Sequence, residues 1–162
     1  MENQQESSRL IEMSWLAGII DGEGTITLSV INRKNKPPLV KPKVQIVNTD
    51  ILIIDKIKEI LTKNQYPFWV TEYQATGNWK KRYAIEISGM GRIIKFLPYV
   101  NEYLVGKKEL GEIILQWCLD RYNKRLGYTK EDFETILKVK AMHGHQDKIG
   151  KNLEILRDYM LN

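Results

Sequence analysis

Two carboxylates near the N-terminus, Asp21 and Glu23, are the residues of this chain best placed to do chemistry. They stand at the end of an apolar run that starts at Trp15 and stops in Gly22-Glu23-Gly24. If this run is a helix, its last carbonyl groups are unpaired and its macrodipole is negative at that end. A carboxylate beside such a helix end would attract a divalent cation.

The same run carries small residues at helical spacing. Residues four apart share one face of a helix, so Gly18 lies beside Gly22 and Ala17 beside Asp21. A glycine inside a helix costs about 1 kcal/mol relative to alanine, so two in one turn need a reason. The close approach of a second backbone is the reason that these residue types favour. The run is far shorter than the roughly 20 residues that span a bilayer, which predicts a partner helix in a soluble protein.

The nine residues from Leu16 to Gly24 resemble the signature of the LAGLIDADG family of homing endonucleases. They depart from it by Ile19 for leucine, Gly22 for alanine and Glu23 for the second aspartate. An ordinary buried helix that ends in Gly-Glu-Gly is the alternative, but the ordered small, apolar and acidic pattern is more specific than a short glycine motif. The resemblance implies a double-stranded DNA endonuclease in which two such helices pack side by side. Each helix would deliver one carboxylate to the metals at the cleavage site.

The resemblance also implies which residues hold metal. Glu23 stands at the metal-ligand position, and the main-chain carbonyl of Gly22 would assist it. Together they offer the hard oxygen ligands that Mg²⁺ prefers, and Mn²⁺ is the alternative ion. Because Glu23 is longer than the aspartate of the signature, the metal spacing would differ slightly. Asp21 corresponds to an acid that is mainly structural in the family, capping or packing at the helix interface, so we interpret it as structural.

Two further residues are expected to act at the cleavage site. Gln45 lies in Val44-Gln45-Ile46, which resembles the family segment that bears a water-positioning residue; a surface glutamine on a strand is the alternative. Lys107 and Lys108 precede an amphipathic helix and are similar to a basic residue near the family's active site that stabilises transition-state charge. We choose Lys107 for this role, and the choice between the two lysines stays open.

Composition bounds the class of protein without identifying it. A chain of 162 residues, 43% of them hydrophobic, can bury one sizeable core, so we predict a single domain. Its core is expected at about 8–125 and a C-terminal helical extension at about 128–162. The formal charge of +5 favours polyanionic partners. One cysteine, Cys118, and two histidines exclude an internal disulfide and a Cys/His zinc module.

Hydrophobic periodicity predicts the elements that position these residues. The result is an α+β chain of order αββαββα with a helical tail, in which four strands form an antiparallel, DNA-binding sheet. The first predicted helix covers 8–21 with Ser7 or Ser8 as its cap, and the second runs from Thr49 or Asp50 to Tyr66-Pro67. Further helices are predicted at 92–97, which ends before Pro98, and at 107–122. Of the last two, one follows the capping-box pair Thr129 and Asp132 and the other covers 153–161. Predicted strands begin at Thr25 and cover 39–48 after a break at 34–38, then 68–75 and 80–88.

The polar faces of the two hairpins are the predicted DNA-binding surface, because a twisted sheet can follow the major groove. The candidates for contact with bases are Thr27, Ser29, Arg33, Lys41 and Lys43 on the first hairpin, and Trp69, Thr71, Tyr73, Lys80 and Arg82 on the second. On the second hairpin the alternating residues Glu72 and Gln74 could face DNA instead. Lysines near the turns are expected to contact phosphates: Lys34, Lys36, Lys80 and Lys81.

The chain carries one signature and no internal repeat of it. In the family, single-motif chains of about this size pair as homodimers, so the resemblance implies an interface built from Ala17, Gly18, Asp21 and Gly22 and a long, nearly palindromic DNA target. Such an enzyme would promote the mobility of its intron or intein. A non-catalytic RNA maturase and a DNA-binding regulator are the alternatives.

The polar N-terminal segment lacks the apolar stretch of a signal peptide. We therefore expect an intracellular protein, cytoplasmic or organellar and not secreted. It is expected to have no membrane partner and no small-molecule substrate.

Overall fold

The computed structural model describes residues 2–124, 127–144 and 150–161, with side chains from residue 6 onward in these ranges. The elements in chain order are α1 (Glu2–Glu23), β1 (Gly24–Arg33), β2 (Lys36–Asn48), α2 (Ile51–Lys63), β3 (Trp69–Tyr73), β4 (Arg82–Ser88), α3 (Met90–Asn101), α4 (Lys108–Tyr122), α5 (Lys130–Met142) and α6 (Lys151–Leu161). The predicted α+β class and the order αββαββα with C-terminal helices are confirmed. The predicted boundary near residue 125 lies outside the described residues.

The four strands form one antiparallel sheet in the order β1-β2-β4-β3. Alternation along each strand turns one face toward the helices, as the pleat requires. That face is apolar and buried, and it carries Ile26, Leu28, Val40, Val44, Ile46, Ile85 and Ile87. The opposite face keeps the polar side chains of the same strands, and the first hairpin is half-buried, whereas β3 is exposed along its whole length.

The signature helix α1 lies in the core along one side. Met13, Leu16, Ala17 and Ile20 are fully buried in the same cluster as the apolar sheet face and α3. Strand β1 begins directly under the last turn of α1. A Cβ on Gly24 would lie 2.7 Å from the Ile20 Cα and 2.8 Å from its carbonyl oxygen, so this position requires glycine. Among the described residues, no helix is long and apolar enough to cross a membrane.

Two helix starts follow the capping rules that the sequence indicates. The Asp50 side chain accepts a hydrogen bond from the Leu52 amide at 2.8 Å and caps α2, whose apolar face is buried. Thr129 and Asp132 form the reciprocal capping box at the start of α5. Both predicted caps are confirmed.

Other predicted boundaries are wrong. Helix α1 begins at Glu2, so Ser7 and Ser8 lie inside it and not at its start. Helix α3 does not stop before Pro98 but continues to Asn101, because the buried Leu97 and Val100 on either side of the proline hold the last turn in the core.

The strand boundaries also differ from the predicted ones. Strand β2 already begins at Lys36, since the turn of the first hairpin needs only Lys34 and Asn35, the latter at φ 57°. Strand β4 begins at Arg82, which leaves Lys80 in the connection between β3 and β4.

Candidate functional site

The last residue of α1, Glu23, presents an exposed carboxylate at the edge of the sheet. Its Oε2 accepts a hydrogen bond from Asn48 Nδ2, at the end of β2. The other end of the same amide is also fixed, because Asn48 Oδ1 accepts a hydrogen bond from the Asp50 amide at 2.8 Å. The start of α2 therefore orients the Asn48 amide toward Glu23.

Asp21 has a different environment, although it lies only two residues away. Its Oδ2 accepts from the Val105 amide at 2.7 Å and its Oδ1 from the Lys107 amide at 2.9 Å. Burial opposes ionisation of Asp21, but these bonds, a third from the Gly106 amide and the Lys107 charge outweigh it and hold its pKa below the usual value. Asp21 thus ties the connection between α3 and α4 to the end of α1.

Lys107 lies at the same helix end. Its ammonium group donates to the Ile20 carbonyl at 2.8 Å and to the Asp21 carbonyl. These are two of the carbonyls that a helix end leaves without an intrahelical partner, and a cation beside them is favourable. Lys108, the alternative, is exposed as the first residue of α4, and no contact between it and α1 is described. The structure therefore brings Lys107 to the signature helix.

Gln45 lies on the polar face of the sheet, paired with Thr25 on β1 and Glu86 on β4. Its Oε1 accepts a hydrogen bond from Lys43 Nζ at 3.4 Å. Among the contacts described, Asn48 and not Gln45 forms the side-chain hydrogen bond to Glu23. Sequence reasoning missed Asn48, although its place directly before the helix start around Asp50 was a usable signal. The role of Gln45 stays a prediction.

Asn48 turns its NH₂ group toward Glu23, and Lys107 already donates to the Ile20 and Asp21 carbonyls. The atoms left at this corner for a metal ion are hard oxygens, those of the Glu23 carboxylate and of the Gly22 carbonyl. Such a set suits Mg²⁺, Mn²⁺ or Ca²⁺ and does not suit a zinc site, which takes nitrogen and sulfur ligands. Within the described residues there is no group of three or more His, Cys, Asp or Glu side chains that could hold a metal.

Residues that pair across neighbouring strands share one face of the sheet. Thr27 pairs with Lys43 and Ser29 with Lys41 on the first hairpin, and Tyr73 pairs with Arg82 on the second. The two hairpins meet through the pairing of Gln45 with Glu86 and of Glu86 with Trp69, so all these side chains lie on one face, here named the polar sheet face. Thr71 is on it as well. Glu72 pairs with Tyr83 and lies on the other face, which settles the open register of β3.

The remaining basic candidates are near the ends of the hairpins. Lys34, Lys36 and Lys80 are exposed, as phosphate contacts would require. Arg33 donates from Nε and Nη2 to the Pro37 carbonyl at 2.9 and 2.7 Å, so its guanidinium stabilises the turn of the first hairpin. Lys81 forms an ion pair with Glu72 at 2.7 Å.

The proposed helix interface needs one correction. Ala17 is fully buried inside the protomer, because it points from α1 into the core, and it offers no surface to a partner. Gly18 and Gly22 are exposed, and a Cβ at either would meet no described atom within 4 Å apart from the backbone of its own helix. Packing within the described chain therefore gives no reason for these two glycines. The exposed Ile11 and Trp15 extend the same stripe of α1 toward its N-terminus.

Comparison with known proteins identifies the family. The family model for LAGLIDADG endonucleases matches residues 16–118. The homing endonuclease I-CvuI, solved with a DNA target and Mg²⁺, is 16% identical with a TM-score of 0.68, over 96% of this chain and 98% of that one. The archaeal intron-encoded homing endonuclease I-Vdi141I, solved with DNA, is 15% identical with a TM-score of 0.65, over 94% of this chain and 98% of that one.

One longer structural relative is matched by this chain over only about half of its own length. I-SmaMI, solved with cleaved DNA, is 16% identical with a TM-score of 0.60, over 91% of this chain but 48% of that one. The comparison with curated proteins gave no match. Because the family model covers more than half of the sequence and includes the whole signature helix, the chain belongs to the LAGLIDADG endonuclease family.

Proposed function

We propose that this protein is a site-specific endonuclease that cuts double-stranded DNA with the help of Mg²⁺ or Mn²⁺. The observation that carries the proposal is the end of the signature helix, where Glu23 presents an exposed carboxylate held by Asn48 beside the polar sheet face. Membership of the endonuclease family supports the same reaction. We expect the protein to act inside a cell or organelle, where its DNA substrate lies.

The proposed active form is a homodimer in which two α1 helices pack side by side. The exposed stripe of Ile11, Trp15, Gly18 and Gly22 and the open space above both glycines support this arrangement. The coverage of only 48% of I-SmaMI is consistent with a chain that forms half of a complete enzyme. Because a two-fold dimer presents the same surface to each half of a target, the DNA site would be nearly palindromic.

Phosphodiester hydrolysis needs an activated water, stabilisation of the charge that develops on the phosphate, and a stabilised leaving oxygen. Glu23 and the Gly22 carbonyl would hold the metal ion, which when bound supplies Lewis acidity and a more acidic water. Asn48 restrains the Glu23 carboxylate, and its own amide is fixed by Asp50. Lys107 would place a positive charge at the same helix end, where charge that develops in the transition state is stabilised.

Recognition is assigned to the polar sheet face. Its hydroxyl, ammonium, guanidinium and aromatic groups would contact base edges in the major groove. The exposed Lys34, Lys36 and Lys80 at the hairpin ends would contact phosphates and give salt-dependent affinity. Gln45 lies on the polar sheet face, paired with Thr25 and Glu86, and is proposed to hold a water near the scissile phosphate.

The decisive experiment compares Glu23→Gln with the wild-type protein on a plasmid that carries the uninterrupted DNA sequence around the insertion point of this reading frame. Such a site is the natural first probe if the enzyme promotes the mobility of its own intron or intein. Wild-type protein should cut both strands with Mg²⁺ or Mn²⁺ and should not cut with chelator. Glu23→Gln should bind the same DNA and leave it intact.

Glu134→Gln is the matched control, because it removes one exposed carboxylate at a surface position of α5. It should cut like the wild type. Normal cutting by Glu23→Gln would disprove the assignment of the metal ligand. Binding of the duplex by the wild-type protein without scission in any metal would favour a regulator, and stimulation of intron splicing without scission would favour a maturase.

A further inference from the structure

Glu86 places a carboxylate in the middle of the surface that is proposed to face DNA. It lies on β4, paired with Gln45 of β2 on one side and with Trp69 of β3 on the other. Its side chain is 21% exposed. A negative charge at the centre of a surface for a polyanion needs an explanation, since it repels every phosphate.

Glu86 belongs to a mixed cluster with two lysines of β2. Lys41 Nζ lies 2.8 Å from its Oε1, and Lys43 Nζ lies 4.0 Å from its Oε2. Burial opposes ionisation of Glu86, but hydrogen bonds from Lys41 and Ser88 and the two positive charges hold its pKa below the usual value. The carboxylate is therefore ionised at neutral pH and acts only as a hydrogen-bond acceptor.

The major groove offers hydrogen-bond acceptors for the lysine ammonium groups of this cluster and hydrogen-bond donors for its carboxylate. A G·C pair presents the guanine O6 and N7 acceptors beside the cytosine N4 amino donor, and Lys to guanine and Glu to cytosine are matching contacts. Guanine O6 and cytosine N4 are hydrogen-bonded to each other and so lie about 2.9 Å apart. The Lys41 ammonium and the Glu86 carboxylate have nearly the same separation, 2.8 Å.

We propose that Lys41 and Glu86 together read one G·C base pair in each half of the DNA target. Glu86 accepts a hydrogen bond from cytosine N4, and Lys41 donates to guanine O6 or N7. Lys43 stays beside the carboxylate and offsets its charge against the phosphates. The inference rests on the proposed function and adds to it a residue that sets specificity and was not among the sequence candidates.

A purely structural clamp is the competing role, and it makes a different prediction. If Glu86 only held the two lysines in place, its loss would release them and alter the affinity and its salt dependence, but it would create no preference for adenine. If it reads cytosine, its loss changes preference at one position of each half-site. Glutamine is the informative replacement, since its amide pairs with adenine N6 and N7.

The experiment selects bound duplexes from a randomised double-stranded DNA library with Ca²⁺ in place of Mg²⁺. Wild-type protein should select a C·G pair at one symmetric pair of positions, and Glu86→Gln should shift that position toward A·T. The change in discrimination should be roughly 5- to 150-fold at that position, with the other positions unchanged. Lys41→Met should weaken the guanine preference at the same base pair.

Glu72→Gln is the matched control, because Glu72 also pairs with a lysine, Lys81 at 2.7 Å, but lies on the other face of the sheet. It should keep the wild-type profile. An unchanged profile for Glu86→Gln and Lys41→Met, a uniform change at all positions, or a loss of the C·G preference in Glu86→Gln with no gain of A·T would overturn the inference while leaving the proposed function intact. If the wild-type protein selects no duplex at all, the proposed function fails and the inference fails with it.

Discussion

The hydrogen bonds of Asp21 give a prediction that separates its role from that of Glu23. Asp21→Asn keeps the size of the side chain but leaves one acceptor oxygen where the carboxylate has two. One of the amides of Val105 and Lys107 then faces an NH₂ group instead of an acceptor. Because a hydrogen bond to a charged group contributes about 1.5–3 kcal/mol, the free energy of unfolding should fall by about 2–3 kcal/mol.

The size of this loss should depend on pH. The folded-state pKa of Asp21 lies below its usual value of 3.8, so its ionised form stabilises the folded chain. That stabilisation is fully present above the unfolded-state pKa and disappears as the pH falls through the folded-state pKa. The difference between wild type and Asp21→Asn should therefore be constant near neutral pH and shrink below about pH 5.

Urea or thermal unfolding at fixed protein concentration measures both effects. At this chain length about 1 kcal/mol corresponds to a Tm shift of about 2–4 °C, so Asp21→Asn should lower Tm by about 4–12 °C. Asp55→Asn is the control, since Asp55 is an exposed carboxylate that pairs with Lys58 on α2, and its loss should cost well under 1 kcal/mol. Equal losses for the two variants, or a loss that is unchanged at pH 3, would refute the structural role of Asp21.

Two further perturbations test the packing around the site and the dimer. Gly24→Ala should destabilise the chain by about 1–3 kcal/mol in urea unfolding, since its Cβ meets the Ile20 backbone at 2.7 Å. A Cβ at Gly18 would meet no described atom outside its own helix, so Gly18→Ala should stabilise the isolated chain by up to about 1 kcal/mol but weaken the dimer in sedimentation experiments. Asp132→Ala should cost about 3–5 kcal/mol in thermal unfolding, because it leaves the buried Arg121 without its carboxylate partner.

Local rules in the sequence predicted most elements of the fold. The apolar spacing of α2 and the caps at Asp50 and Thr129 depend on residues within one or two turns, so they could be read without tertiary structure. Pro98 is a helix breaker by the same rules, yet the core packing of Leu97 and Val100 keeps it inside α3. Tertiary burial thus overrode a local signal that the sequence alone could not weigh.

The candidate site was only partly readable for a similar reason. The roles of Asp21 and Glu23 were distinguished through the signature, and the structure gives the two carboxylates different partners. Sequence reasoning did not identify Asn48 and Glu86 as site residues, because their roles depend on contacts between segments that are distant in sequence. Ala17 was placed on the wrong side of α1, since spacing defines which residues share a face and not which face the core covers.

The spacing of the two carboxylates explains how one helix end serves two purposes. Residues two apart in an α-helix are turned by about 200° from each other, so Asp21 and Glu23 point to nearly opposite sides of α1. Asp21 meets the α3–α4 connection, which brings Lys107 to the carbonyls of the last turn. Glu23 meets Asn48 at the end of β2. Because Gly24 has no side chain, the start of β1 can pack directly against Ile20, and the sheet begins at a fixed position relative to Glu23. The contacts that fold the chain therefore also place its candidate metal ligand beside the polar sheet face.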